Sequence, residues 1–338
     1  MKKIAILLLL TILLSACSDT TSERQTETVK SGWQEVDGAR SYYVSGTPLT
    51  GWQEIDGVTY YFSEAGTIYT GWLEHNGARY YLDENGSPLV GWQEIDDKQY
   101  YFTENGAAYT GWLEQDEKRF YLKPDGSMAR GQVEIDGVNH FFTSAGAPIL
   151  MVNPWNYVPD GYEPDLVAIN DTYLAYADMK VDRSCYEALI NMMTDCNKLS
   201  GARVYIVSAY RTLARQTSNY NRKVAYWKER GYGEEAAKKK AATSVAIPGT
   251  SEHQLGLAVD IVDTRSWTLS GSQASFTGQQ WLMAHCWEYG FVLRYPEGKT
   301  DITGIIYEPW HYRYVGKEVA AELQEPGLTL EEYLASLG

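Results

Sequence analysis

The chain has 338 residues, enough for about two domains, and is 44% apolar and 22% charged, the composition of an ordinary folded protein. Its formal net charge of -15 excludes a nucleic-acid partner, because binding phosphates takes clustered Lys and Arg; it also excludes adhesion to anionic polymers by bulk charge. Aromatic residues reach 13%, mostly Tyr and Trp, and they are unevenly spread.

Lys2 and Lys3 precede an apolar run, Ile4 to Leu14, that is too short for a permanent bilayer span. Leu14-Ser15-Ala16-Cys17 then resembles a bacterial lipobox. The resemblance implies a signal peptide over residues 1–16, cleavage before Cys17 and diacylation of its thiol, with two or three acyl chains giving a stable membrane anchor. No later stretch is long and apolar enough to span a membrane. Cys17 and a polar stretch rich in Thr, Ser and Glu, residues 17–31, form the lipidated start and a flexible spacer. Cys185, Cys196 and Cys286 are left over, an odd number that suggests no disulfide framework and reads as small buried core residues.

From Gly32 the chain repeats. Gly-Trp recurs at Trp33, Trp52, Trp72, Trp92 and Trp112, and the sixth copy has Gln132 instead. An aromatic pair follows in each copy, from Tyr42-Tyr43 to Phe141-Phe142, and a turn glycine closes each, from Gly46 to Gly146. Asp37-Gly38, Asp56-Gly57, Asn76-Gly77 and Asp136-Gly137 fall between the Trp and Tyr segments, where tight hairpin turns need positive φ. One such hairpin cannot bury its aromatics alone, but stacked hairpins can, so residues 32–150 are expected to form an all-β hairpin-repeat solenoid of six units, with the atypical last one as a cap. The stretch resembles the cell-wall-binding repeats of Gram-positive surface proteins, including choline-binding and glucan-binding arrays. It departs from the choline-binding version, which has a second Trp before the Tyr pair; here those positions are Ser41, Thr59, Arg79, Gln99, Arg119 and His140. A quaternary ammonium needs several aromatic faces, so a wall polymer or glycan is the favoured ligand, ahead of a purely structural role for the rings and of choline.

After Leu150 the period ends, and residues 151–338 read as a second domain of mixed helices and strands. Val181 to Leu199 has helical spacing at Tyr186, Leu189, Ile190, Met193 and Leu199, with Gly201 as a stop. Ala202 to Ala209 reads as a buried strand, Thr212 to about Arg230 and Glu234 to Val245 as helices, and Gly256 to Val262 as a strand. Gln279 to Tyr289 reads as a helix stopped by Gly290, and Phe291 to Tyr295 as a strand. Thr329 with Glu332 makes a capping box for a last helix. The fold class expected is α+β.

Three segments of this domain carry chemistry: Ser208-Ala209-Tyr210-Arg211-Thr212 with Gln216 nearby, Ser251-Glu252-His253 through Asp260, and Glu308-Pro309-Trp310-His311. Asp260 stands on an otherwise apolar strand, a place that requires pairing or a cation. Only five His occur in the chain, and two of them, His253 and His311, fall in these segments. Two His and a carboxylate make a catalytic zinc set with a fourth position open for water. A lone His would more often be structural, and His75, His140 and His285 are read that way.

Together the segments closely resemble the VanY-type D-alanyl-D-alanine carboxypeptidases, a family that includes L,D-carboxypeptidases. The resemblance implies that His253, Asp260 and His311 bind zinc and that Glu308 is the catalytic base, with Glu252 a rival by position only. It also places Arg211, Gln216 and Ser251 in the substrate pocket, where Arg211 can grip a terminal carboxylate with its planar pair of donors. The activity implied is removal of the C-terminal D-Ala from peptidoglycan stem peptides at the outer face of the cytoplasmic membrane of a Gram-positive bacterium. An L,D cut on a tetrapeptide is slightly favoured over a D,D cut on a pentapeptide, by resemblance to anchored housekeeping members. A peptidoglycan endopeptidase, and a wall-binding surface protein without catalysis, are the alternative readings.

Overall fold

The computed structural model describes residues 29–36, 38–324 and 327–338. The signal segment, Cys17 and Asp37 of the first turn lie outside the described residues. The described residues divide into two compact units: those up to residue 89 with 105–107, and those of 90–104 with 108–338. Among the described residues no helix is long and apolar enough to cross a membrane.

Unit one is built of antiparallel hairpins. Gly32–Val36 pairs with Ala39–Val44, Gly51–Ile55 with Val58–Phe62, and Gly71–His75 with Ala78–Leu82. The register sets Trp52 and Trp72 opposite the second ring of their own pairs, Tyr61 and Tyr81, and Trp33 opposite the first ring of its pair, Tyr42. Trp33 and Trp52 also meet the first ring of the next pair: Trp33–Tyr60 centroids lie 5.1 Å apart and Trp52–Tyr80 centroids 4.9 Å, both edge-on. That is why the sequence must repeat in tandem, since a hairpin completes the aromatic packing of its predecessor. The residue after the second and third pairs forms the inner stripe, with Phe62 and Leu82 each 1% exposed, whereas Val44 after the first pair is exposed. The closing glycines bring successive units close: at Gly86, φ is +83° and a Cβ would lie 2.4 Å from Ile68 Cγ2.

The turns follow the expectation at Asp56-Gly57 and Asn76-Gly77, where both residues have positive φ. In unit two the same conformation appears without glycine. Asp96-Asp97 and Asp116-Glu117 have φ of 51°, 60°, 51° and 62°. Local composition gave no sign of these two turns; only the 20-residue period marks them.

Unit two begins with the hairpins Gly91–Ile95 with Lys98–Phe102, Gly111–Gln115 with Lys118–Leu122, and Gly131–Ile135 with Val138–Phe142. In the last of these, Phe141 joins a buried cluster with Met151, Val319, Leu323, Leu330 and Leu334. Gln132, which replaces the Trp, is exposed and bonds Asn139 instead. The final hairpin thus turns Phe141 toward the helices that follow it in the chain, while Phe142 stays against Trp112 and Tyr121 of the hairpin before it.

The α+β part holds a four-stranded antiparallel sheet in the order Val204–Ser208, Ala258–Asp263, His311–Tyr314, Phe291–Leu293. Its helices are α1 (Arg183–Leu199), α2 (Leu213–Lys228), α3 (Glu234–Ala242), α4 (Thr277–His285), a short α5 (Thr300–Thr303), α6 (Lys317–Gln324) and α7 (Leu330–Ser336). Asp182 caps α1 by accepting from Ser184 N, and Thr329 with Glu332 forms the expected capping box on α7. The buried face of α1 is Cys185, Leu189, Met192, Met193 and Cys196; Leu199 is exposed. It packs on Val204, Ile206, Val259, Ile261 and Tyr312 of the sheet. Cys185, Cys196 and Cys286 are free, buried thiols, each pushed up to about 12 by burial. The helix expected over Gln279 to Tyr289 instead ends at His285 and tightens into a 3-10 turn, Cys286–Tyr289, before left-handed Gly290. The strand expected from Gly256 starts at Ala258, because Gly256 is itself left-handed at φ 74° and ends a 3-10 turn, Glu252–Leu255.

Candidate metal and catalytic site

The site lies on two neighbouring strands and the turn beside them. Asp260 sits in Ala258–Asp263, a strand buried along its whole length, and its register partner is His311, the first residue of the next strand. His253 lies on the 3-10 turn that feeds this strand, and left-handed Gly256 lets the chain reverse from turn to strand, with a Cβ there only 2.9 Å from Asp182 N. Glu308 precedes His311 by one tight turn, closed by His311 N donating to Glu308 O at 3.1 Å.

His253, Asp260 and His311 are all buried, and each offers one ligand atom within 4.8 Å of the others. His253 Nε2 is 3.3 Å from Asp260 Oδ2, and His311 Nδ1 is 3.0 Å from Asp260 Oδ1. The Nδ1 of His253 donates to Ala209 O at 2.8 Å, which leaves Nε2 with its lone pair. That Nε2 is buried without a hydrogen-bond partner. An orphaned imidazole lone pair beside a carboxylate and a second imidazole fits a divalent cation, and the N, N, O set is that of a zinc site with an open position. Glu308 Oε2 lies 3.9 Å from His311 Nδ1, on the rim of the cluster and outside the three-ligand set.

The charges are tightly coupled. Burial pushes the Glu308 carboxyl up to about 8, a value that a nearby cation draws down. Burial and the Arg211 guanidinium push His253 down to about 4. Burial opposes charge on His311 as well, but Asp260 and Glu252 overcome it and hold the ring up to about 9. Burial also works against ionised Asp260, yet its two histidines and Arg211 hold it well below the carboxylate range. The neighbouring carboxylates thus favour a proton on His311, and a metal held between the same groups would displace it.

The other residues singled out from the sequence lie around this cluster. Arg211 points inward: Nε donates to Ser208 Oγ at 3.0 Å, Nη1 to Gln216 Oε1 at 2.8 Å and Nη2 to Asp260 Oδ2 at 3.0 Å. Gln216, fully buried on α2, also donates to Ala246 O. Ser251 is buried at the start of the 3-10 turn, and its side chain does not cap that turn. His285 pairs with Glu288 on the surface, and His75 and His140 contact repeat rings.

Sequence reasoning missed the residues behind the site. Arg294 and Arg313, each 1% exposed, both donate to Glu252 Oε1, at 2.8 and 2.9 Å. Arg294 also bonds Glu331 on α7, and Arg313 donates to Leu150 O. The signal available was the one that marked Asp260, a charged residue inside an apolar strand, here in Phe291–Leu293 plus Arg294 and in His311–Tyr314.

Residues 178–317 match the family model described as VanY, D-alanyl-D-alanine carboxypeptidase, and residues 49–87 and 89–132 match that of the choline-binding repeat. A D-alanyl-D-alanine carboxypeptidase of Enterococcus faecalis is 38% identical over 189 residues, which are 55% of this chain and 65% of that protein. The chain thus spans just under two thirds of that curated relative. A solved structure of the LdcB LD-carboxypeptidase is 34% identical, covering 62% of this chain and 95% of that chain with a TM-score of 0.50. A crystal structure of a mutant of the vancomycin resistance D,D-pentapeptidase VanY, in complex with Zn(II), is 39% identical over 55% of this chain and 97% of that chain, with a TM-score of 0.48. Through the domain that holds His253, Asp260 and His311, the chain belongs to the VanY family of D-alanyl-D-alanine carboxypeptidases.

Proposed function

We propose that the protein is a zinc-dependent carboxypeptidase that removes the C-terminal D-Ala from peptidoglycan stem peptides. The observation that carries this reading is the buried His253, Asp260 and His311 cluster with Glu308 on its rim. These three side chains would hold a zinc ion, which would lower the pKa of a bound water to about 7 and polarise the scissile carbonyl. Glu308, kept in a dry setting, takes the proton of the attacking water and delivers it to the leaving amine of D-Ala. Arg211 fixes Asp260 from one side, and its remaining N–H groups face the terminal carboxylate of the stem. Gln216 holds the Arg211 guanidinium in plane, and Ser251 adds a hydroxyl to the same pocket.

The organisation proposed with it is a signal peptide over residues 1–16, a lipidated Cys17 and spacer to residue 31, repeats over 32–150 and the catalytic domain over 151–338. The repeats hold the enzyme to a wall polymer or glycan, and the lipid holds it at the membrane of a Gram-positive cell. Arg40, Arg79 and Arg119 stack on Trp33, Trp72 and Trp112 at 4.4, 3.7 and 3.9 Å, so those ring faces already carry a cation and choline is disfavoured there.

Mass spectrometry of purified tetrapeptide and pentapeptide muropeptides, incubated with and without a chelator, tests the activity. Loss of one alanine that the chelator prevents is the expected result, from the tetrapeptide for an L,D enzyme or only from the pentapeptide for a D,D enzyme. Release of no alanine from either stem would overturn the reading in favour of an endopeptidase or a binding protein.

A further inference from the structure

We propose that Glu252 is the positioning residue for His311: it accepts the Nε2–H of that ring and so turns Nδ1 toward Asp260 and the metal. Glu252 is adjacent to His253 in sequence, but its side chain is buried on the far side of the cluster. One of its oxygens, Oε1, is taken up by Arg294 Nε and Arg313 Nη1. The other, Oε2, is buried with no hydrogen-bond partner and lies 3.6 Å from His311 Nε2, which is buried and without a partner too. The opposite nitrogen of the ring, Nδ1, faces Asp260 Oδ1 at 3.0 Å. Two orphaned polar atoms face each other across a gap only slightly longer than a hydrogen bond, on the side of the ring away from the other two ligands. A small rotation of the ring closes it.

The arginines make Glu252 a fixed acceptor. Arg294, Arg313 and Glu252 are all 1% exposed. Arg294 is clamped from behind by Glu331 of α7, at 2.6 and 2.8 Å, and Asn153 donates to the same carboxylate at 3.1 Å. Arg313 is held by Leu150 O at 2.8 Å. Leu150, Asn153 and Glu331 all lie outside residues 178–317, the part that matches the family model. The burial and stability of the two arginines are therefore completed by the segment that follows the last hairpin and by the final helix, while Glu252 alone of these groups faces the ligand His311.

The inference rests on the zinc reading above, and the test separates the two. Zinc affinity of the full chain is measured by competition with a chromophoric chelator, for the wild type, Glu252→Gln, Glu252→Asp and Glu331→Gln. Glu252→Gln keeps the shape and loses the charge; Glu252→Asp keeps the charge for the arginines and withdraws the oxygen from His311. Both are expected to bind zinc 10–100-fold more weakly. Glu331→Gln touches Arg294 but does not face His311, so it should lower the melting temperature and leave zinc affinity within about twofold. Unchanged affinity in both Glu252 variants, or an equal loss in Glu331→Gln, would overturn the proposal. Should neither Glu252 variant fold, the wild type decides: the zinc-loaded protein labelled with 15N-His should show His311 protonated on Nε2, and protonation on Nδ1 would overturn it. A wild type that binds no zinc would instead overturn the metal reading.

Discussion

The hairpin repeats and the sheet that carries the site solve opposite problems. In the repeats most rings are only partly buried, and from the second hairpin on the fully buried stripe takes a residue such as Phe62, Leu82 or Phe102. In the sheet, Asp260, Glu252, Arg294, Arg313 and both histidines are buried within a few ångströms of one another, and each occurs once. Repeated apolar contacts tolerate local damage because neighbours supply the rest of the stability. A buried polar cluster does not, because removing one member leaves the others desolvated and unpaired. The contrast predicts two kinds of variant: in the site, single changes that cost much; in the repeats, changes that cost little and stay local.

The largest effect belongs to Glu308→Gln, which should lower kcat/KM by about 10²–10⁴ while zinc content and melting temperature stay as in the wild type. Retention of turnover would remove Glu308 from the role of base. Next comes Arg294→Met. It leaves the buried Glu252 and the half-buried Glu331 without their shared cation, and denaturant unfolding of unit two should show a loss of about 3–5 kcal/mol. A loss below about 1 kcal/mol would show that the network is already relaxed by water. Gly86→Ala tests the other region. Its left-handed backbone alone costs roughly 1–2 kcal/mol with a Cβ, and contact with Ile68 adds to that. Hydrogen exchange should rise in the neighbouring hairpins, with turnover of a small soluble muropeptide unchanged; altered turnover would mean that the two regions are not separable. The smallest effect is a gain: Glu117→Gly relieves a φ of 62° and should stabilise its turn by about 0.5–1 kcal/mol, read as a higher melting temperature.

How much was legible in the sequence divides along the same line. The hairpins were readable because their signals are local, a Gly-Trp, a turn and an aromatic pair within 20 residues. Where the turn chemistry departed from that code, at Asp96-Asp97 and Asp116-Glu117, only the period gave the turn away, since packing against neighbours overrides the preference for glycine. His253, Asp260, Glu308 and His311 stood out because their residue types are rare and ill-suited to apolar surroundings. Glu252 was noticed only as a neighbour of His253, and its real partners were invisible: positions 294, 313 and 331 are joined by folding alone. The end of α4 at His285 was missed for a related reason, as the apolar spacing continues through a tighter 3-10 turn that buries Cys286.

That dispersion bears on the order in which the molecule can be built. A hairpin closes within about a dozen residues, so a chain emerging from its N-terminus can form one as soon as it appears, and each new hairpin then packs on the last. Arg294 has no such option. It is made with Glu252 already present, but its second carboxylate, Glu331, arrives 37 residues later on α7. Until then the buried guanidinium of Arg294 lacks one of its two carboxylates, and Glu252 depends on Arg313 to complete its own pairing. Synthesis of the repeats can be complete while the cluster of His253, Asp260 and His311 is still unformed, so the two regions of the molecule come into being one after the other rather than together.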